Sequence, residues 1–319
     1  MNDRSTAVDN ARAARSRIAG IAIRTPLVRL ELPESKREIH LKLENLQPIG
    51  SFKLRGAANA MAVAGREALA RGVYTASAGN MAQGVAYCAR RFGVKATIVV
   101  PDRAPQIKLD AITRLGATYI KVSFDEWWQA MVEHKHPGVE GLFVHPFEDP
   151  AVIAGNSTMG LEILEDLAGA DAVLVPWGGG GSACGIAAVV RELSPKTRVY
   201  PVEVDVAAPL TASFRAGKAT TITPQANFVD GMSGKSVFES MWERARTLLE
   251  KPLVLSVDQI AAAVRLLAER GRIVAEGAGA APLAAALNSE FEGQRVVCLV
   301  SGGNIDTARF TSILRGEAP

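Results

Sequence analysis

Residues 43–57 read Leu43-Glu44-Asn45-Leu46-Gln47-Pro48-Ile49-Gly50-Ser51-Phe52-Lys53-Leu54-Arg55-Gly56-Ala57. An apolar strand ends, the chain turns at Pro48 and Gly50, and a helix begins at Ser51. Ser51 is expected at the N-cap, its hydroxyl accepting from a free backbone N–H. Lys53 then lies in the first helical turn, facing the positive end of the helix dipole. Arg55 adds a second positive charge nearby. Both effects disfavour an ammonium and predict a lowered pKa for Lys53. The neutral amine is the form that makes a Schiff base with a carbonyl compound.

Upstream of this stretch, residues 6–18 read as an Ala/Arg-rich helix and residues 25–30 and 39–43 as short strands. Downstream, the Lys53 helix is expected to reach about residue 63. Strands at 73–76, 96–100, 119–122 and 142–144 then alternate with helices at 81–92, 106–115 and 126–134. A second series follows Pro150: helix 153–167, strand 172–175, helix 184–193 and strand 199–204. After an irregular stretch at 224–237 come helices at 257–269 and 280–288, a strand at 296–300 and a helix at 307–314. This alternation predicts βαβ units and parallel sheets buried on both faces, in two α/β layers.

The 319 residues are enough for two domains of ordinary size. A net charge of +3 leaves no electrostatic footprint for nucleic acid. There is no signal-peptide core and no apolar run long enough to span a bilayer, so a cytoplasmic protein without a membrane partner is expected. Cys88, Cys184 and Cys298 are odd in number and lack metal-site spacing. They are expected to be reduced and structural. The Trp127-Trp128 pair is expected to serve packing rather than a ligand.

Three loops carry further chemistry. Gly178-Gly179-Gly180-Gly181-Ser182 follows a strand and leads into a helix, the arrangement that aims backbone N–H groups at an anion. It lacks the Gly-Lys-Ser/Thr of a nucleotide P-loop. Its four glycines would weaken the fold if they served only a turn, so a phosphate cradle is predicted. Ser77-Ala78-Gly79-Asn80-Met81 also joins a strand to a helix start. Its N–H groups suit a carboxylate, and Asn80 suits a phenolic oxygen. Ser301, in Ser301-Gly302-Gly303-Asn304, sits at a strand's carboxyl end, where open α/β sheets bind ligands. An amine, a phosphate cradle, a carboxylate loop and a strand-end hydroxyl together predict a site for pyridoxal 5'-phosphate.

The chain resembles the fold type II pyridoxal-phosphate enzymes of the threonine/serine dehydratase and serine racemase group. The likeness runs from Arg24-Thr25-Pro26-Leu27 to Ser301-Gly302-Gly303-Asn304 and includes Pro150-Ala-Val-Ile-Ala-Gly155. It implies a tryptophan synthase β-like α/β fold with two open parallel-sheet domains. The large, cofactor-binding one would comprise 1–65 and 148–319, and the small one, 66–147, would close over the substrate. It implies that Lys53 carries the cofactor as a Schiff base beside Phe52, and that Asn80 bonds its 3′-oxygen. Gly178 to Ser182 would hold the phosphate and Ser301 the pyridine nitrogen, with Gly231 and Glu276 among the cofactor contacts. A hydroxyl on that nitrogen leaves it mostly unprotonated, which favours β-elimination over transamination. Ser77, Ala78, Gly79, Asn80 and Met81 would bind the substrate's carboxylate. Lys53 would remove the Cα proton, and loss of the β-hydroxyl would end in a 2-oxo acid and ammonia. The partner implied is a small amino-acid substrate, and the assembly a monomer or homodimer.

Three departures from that pattern bear on function. Ala78 stands where the racemases carry a serine that moves protons on the opposite face, so dehydration is favoured over racemisation. Met81 replaces the usual histidine and leaves an apolar, adaptable pocket edge. With Phe147, this suggests a bulkier 3-hydroxy amino acid such as phenylserine. The family's divalent-cation site retains Glu203 and the Ala207 carbonyl, but Pro209 occupies the second carboxylate position. Magnesium or calcium, which want six or more oxygens, should therefore bind weakly. A monovalent ion or no ion stays open. The alternatives are an amino-acid racemase and a non-catalytic α/β nucleotide-binding protein.

Overall fold

Two sheets organise the chain in the computed structural model, which describes residues 6–317. The elements in order are α1 (Ala7–Ile18), β1 (Leu27–Leu30), β2 (Glu38–Leu43), α2 (Lys53–Leu69), β3 (Val73–Ala76) and α3 (Asn80–Phe92). There follow β4 (Ala96–Pro101), α4 (Gln106–Arg114), β5 (Thr118–Val122), α5 (Phe124–Glu133), β6 (Leu142–Phe143) and α6 (Pro150–Asp166). Next come β7 (Ala172–Pro176), α7 (Gly181–Leu193), β8 (Arg198–Val204), α8 (Pro209–Ala216), α9 (Glu239–Leu248) and β9 (Leu253–Leu255). The chain closes with α10 (Val257–Leu266), α11 (Gly277–Asn288), β10 (Arg295–Val300) and α12 (Thr307–Leu314).

The larger sheet runs β1-β2-β10-β7-β8-β9 and the smaller β5-β4-β3-β6. All pairings are parallel except β1 with β2, which is antiparallel. That edge hairpin departs from the all-parallel expectation. Residues 27–43 therefore join the larger sheet although the smaller one follows them in sequence.

The central strands are covered on both faces, which is why β4, β7 and β10 read as apolar runs, while the edge strands β1 and β5 stay partly exposed. On the larger sheet Leu41, Leu174, Val202 and Val300 pack toward α10 and α11, while Val173, Val175 and Leu299 meet Met159 and Ile186 of α6 and α7. On the smaller sheet Val73, Ile98 and Val100 meet Val85 and Ile112, and Tyr74 and Val99 meet Met131 of α5.

Several elements differ from expectation. α8, α9 and β9 are not among the expected elements: the two helices are short, α9 is mostly polar around Met241, Trp242 and Ala245, and β9 has three residues. α7 begins at Gly181, three residues early, and α2 reaches Leu69 with a non-helical break at Gly65, φ 77°. Cys88, Cys184 and Cys298 are free and buried, and burial pushes their thiols up, Cys184 to about 12. No helix among the described residues is long and apolar enough to cross a membrane.

Candidate active site

Four parallel strands deliver the site at their carboxyl ends, the position where open α/β sheets bind ligands. β2 leads to Lys53, β3 to Ser77–Met81, β7 to the glycine run and β10 to Ser301. These segments line one cavity of about 380 Å³, within the range of small-molecule sites. A larger groove of about 760 Å³ lies over Val28, Leu43, Leu46 and Ile273. It contains no lysine and none of the phosphate-cradle glycines, so chemistry rather than volume assigns the site.

The lead-in to Lys53 is clamped to the Ser301 loop. Phe52 N–H donates to the Ser301 carbonyl at 3.0 Å and Gly303 N–H to the Gly50 carbonyl at 2.9 Å. Gly50 has φ 69°, and a Cβ there would stand 2.7 Å from Asn304 Oδ1. Glycine is required at that turn on both counts. The Ser51 hydroxyl accepts from the Lys53 N–H at 3.4 Å, the bond expected of it, although the N-cap position itself falls to Phe52, which makes no side-chain bond.

Lys53 Nζ donates to the Pro146 carbonyl at 2.8 Å and lies 5.3 Å from the Phe52 ring centroid. Its pKa falls from 10.5 to about 8. The direction matches the sequence reading, but the cause does not. Burial is what penalises the ammonium, and the nearby Glu276 charge partly opposes it. Arg55 makes no contribution, because it points away into a buried ion-pair cluster. It donates to both Glu44 oxygens at 2.8 Å and to Glu162 Oε1 at 2.7 Å. Lys42 donates to Glu162 Oε2 at 2.6 Å and balances the charge.

Glu276 is the second titratable group at the amine. Burial raises its carboxyl to about 7, against the hydrogen bond from Asn80 Nδ2 at 2.8 Å. Asn80 Oδ1 in turn accepts from Asn304 Nδ2 at 2.8 Å. Asn80 thus links the Ser301 loop to Glu276 across the cavity.

The glycine run fits an anion, since α7 starts at Gly181 and its first N–H groups have no carbonyl four residues back. Its composition has a second cause that the local sequence does not express. A Cβ on Gly178 would meet the Gly231 carbonyl at 2.5 Å, and on Gly179 the Phe147 ring at 2.1 Å. On Gly180 it would meet the Trp177 ring at 2.3 Å, and on Gly181 the Phe147 carbonyl at 2.6 Å. The run is glycine because protein packs against it as well as because N–H groups must face a ligand.

Phe52, Lys53, Ser77, Ala78, Gly79, Asn80, Met81, Phe147, Gly178–Ser182, Gly231, Glu276 and Ser301 all border this cavity. Residues the sequence reading missed border it too: Lys108 of α4, Trp127 and Met131 of α5, Pro146, and Asp230. The only signal available for α5 was the i, i+4 spacing of Trp127 and Met131.

Glu203 and Ala207 lie elsewhere and do not fit a divalent cation. Both Glu203 oxygens are engaged by the start of α8, accepting from Leu210 N–H at 2.8 Å and from Thr211 N–H and Oγ1 at 2.7 Å each. Pro209, which opens the helix, brings no side-chain oxygen, so the Ala207 carbonyl would have no carboxylate beside it other than that of Glu203.

A buried amine of lowered pKa, an N–H-lined glycine turn and strand-end polar groups define an enzyme that anchors a carbonyl-bearing, phosphorylated cofactor. Residues 18–302 match the family model described as pyridoxal-phosphate dependent enzyme, and the chain belongs to that family. Its fold is the fold type II α/β arrangement, and its cofactor is pyridoxal 5'-phosphate. The chain is 41% identical over 280 residues to the L-threonine ammonia-lyase of Thermotoga maritima, covering 87% of this chain and 70% of that protein. It is 38% identical over 312 residues to the L-threonine dehydratase catabolic TdcB of Staphylococcus aureus N315, covering 94% and 90%. The structure of maize serine racemase superposes with a TM-score of 0.89 at 29% identity, covering 98% of this chain and 97% of that one.

Proposed function

We propose that the chain is an ammonia-lyase that removes water from a 3-hydroxy amino acid to give a 2-oxo acid and ammonia. We further propose that its substrate is bulkier than serine or threonine, with phenylserine the candidate. The observation that carries the lyase reading is one-sidedness. In the loop that would face the Lys53 amine across the substrate, Ala78 offers a methyl at the position where the racemases carry a proton-moving serine, and the neighbouring Ser77 hydroxyl is engaged, accepting from the Gly79 N–H at 3.2 Å. The threonine ammonia-lyase and dehydratase relatives support the same reaction class. Met81, Met131 and Phe147 on the cavity wall support the bulky side chain.

Bound pyridoxal phosphate supplies an electron sink for charge developing at the substrate's Cα. The chain's own residues then have these roles. N–H groups at the start of α7, with Ser182, would hold the phosphate, and those at the start of α3 the substrate's carboxylate. The Ser301 hydroxyl would face the pyridine nitrogen. Lys53, whose burial makes its ammonium give up a proton more readily than an exposed lysine's, would take the Cα proton. Residues 66–147 would act as a lobe that closes over the substrate, carrying Ser77–Met81, Lys108 and Trp127 with it.

The visible spectrum of the purified protein tests the cofactor assignment. An absorption band that vanishes in Lys53→Ala supports it, and a colourless protein that binds nucleotide refutes it. Formation of 2-oxo acid from threonine, serine and phenylserine tests the substrate, and a clear preference for serine would sink the bulky-side-chain reading. The likeness to maize serine racemase keeps racemisation as a second reading, and chiral analysis of recovered substrate decides between them.

A further inference from the structure

Helix α5 brings Trp127 and Met131, one turn apart on the same face, into the wall of the cavity that holds Lys53. Trp128 turns elsewhere. Its ring meets Phe238 edge-on at 5.8 Å, and the Lys235 ammonium lies 4.2 Å from its centroid. The tandem pair therefore divides its work. Trp128 packs the two halves of the molecule together, and Trp127 borders the site.

Trp127 packs within its own layer as well, its ring 5.5 Å from that of Phe124 and against the cluster of Tyr74, Val99 and Met131. The ring is half-buried, and its N–H is buried with no acceptor among the described residues, so what it offers the cavity is apolar surface. The polar groups for an amino acid's head are concentrated at the Ser77–Asn80 loop, and the glycine turn is taken by the cofactor phosphate, so the α5 face is left for the side chain.

We infer that Trp127 is the specificity-determining residue for the substrate's β-substituent, the wall against which an aryl or comparably bulky apolar group packs. This rests on the ammonia-lyase reading above. It goes beyond that reading by naming the residue that selects the side chain and the helix that presents it.

Phenylalanine and alanine share an amino-acid head, differ by a ring and lack the β-hydroxyl, so each binds without elimination. The test is calorimetric titration of the holoenzyme and of its Trp127→Ala and Trp127→Phe variants with both ligands. Turnover of phenylserine and threonine is followed in parallel as 2-oxo acid. Trp127→Ala should weaken phenylalanine by about tenfold or more and alanine by less than about twofold. It should raise KM for phenylserine relative to threonine in the same sense. Trp127→Phe should recover most of the loss. Equal weakening of both ligands, or of neither, overturns the assignment. In that event the lyase reading survives if threonine turnover and the visible absorption persist in every variant. If the wild-type protein yields no 2-oxo acid from any substrate, the lyase reading falls, while the phenylalanine-to-alanine ratio still reports on Trp127.

Discussion

Lys53 and Arg55 are two residues apart and have opposite electrostatic surroundings. Arg55 is held by two carboxylates, which keeps its charge, whereas Lys53 is desolvated and receives only the partial help of Glu276. The Glu276 charge favours the ammonium of Lys53, which burial disfavours. Removing the charge must therefore lower the lysine's pKa. In Glu276→Gln apoprotein, the pH midpoint for the rate of cofactor uptake should move below that of the wild type. An unchanged or higher midpoint would mean that Glu276 does not act on the amine. On the opposite face the deficit is chemical. Ala78→Ser places a hydroxyl beside that of Ser77, at the loop position the racemases use, and recovered substrate should then show loss of optical purity that the wild-type enzyme does not produce.

At the scale of elements, periodicity made most of the fold legible, because strands buried on both faces have to be apolar throughout. β3, β4, β7 and β10 all read this way. α8, α9 and β9 did not. α9 offers Glu-Ser-Met-Trp-Glu-Arg-Ala-Arg, with little apolar content beyond Met241 and Trp242, and β9 is three residues long at a sheet edge. Their stability comes from neighbours that lie far away in sequence. The candidate site was legible where glycines and polar residues fall together in one loop. It was not legible at Lys108, Trp127 and Asp230, which reach the cavity only through tertiary packing. The glycine run was read for its ligand alone, since nothing local reveals that Phe147 and Trp177 press on it. α8 illustrates the same limit. Glu203 looks like half of a cation site, yet its carboxylate anchors a helix start. Thr211→Val removes one of the three donors to a buried carboxylate. It should lower stability by about 1–3 kcal/mol in urea unfolding, and a chelator should leave the wild-type unfolding curve in place. A chelator-sensitive curve would restore the cation.

Across the whole molecule, the two sheets meet around the cavity, and few polar contacts bridge its mouth. Lys108 Nζ of α4 donates to Asp230 Oδ2 at 2.6 Å, joining the smaller sheet's layer to the irregular stretch beside the glycine run. Both side chains are substantially exposed, so the pair should contribute less than about 1 kcal/mol to unfolding stability. Its effect should appear instead in exchange at the site. Lys108→Ala should speed release of bound phenylalanine in stopped-flow displacement, and added salt should do the same to the wild type but less to the variant. A release rate unaffected by both would show that the pair does not hold the mouth closed.

The buried cluster of Arg55, Glu44, Glu162 and Lys42 has a mechanical meaning as well. It fastens the first turns of α2 to α6 and to the end of β2. The other side of the same helix, at Leu54, Ala57 and Met61, packs into the smaller sheet's core with Val73 and Ile98. The lysine thus stands on a strut gripped from both layers. In the closure proposed above its surroundings would change with the lobe, because Pro146, which accepts from Lys53 Nζ, and Asn80, which donates to Glu276, both belong to residues 66–147.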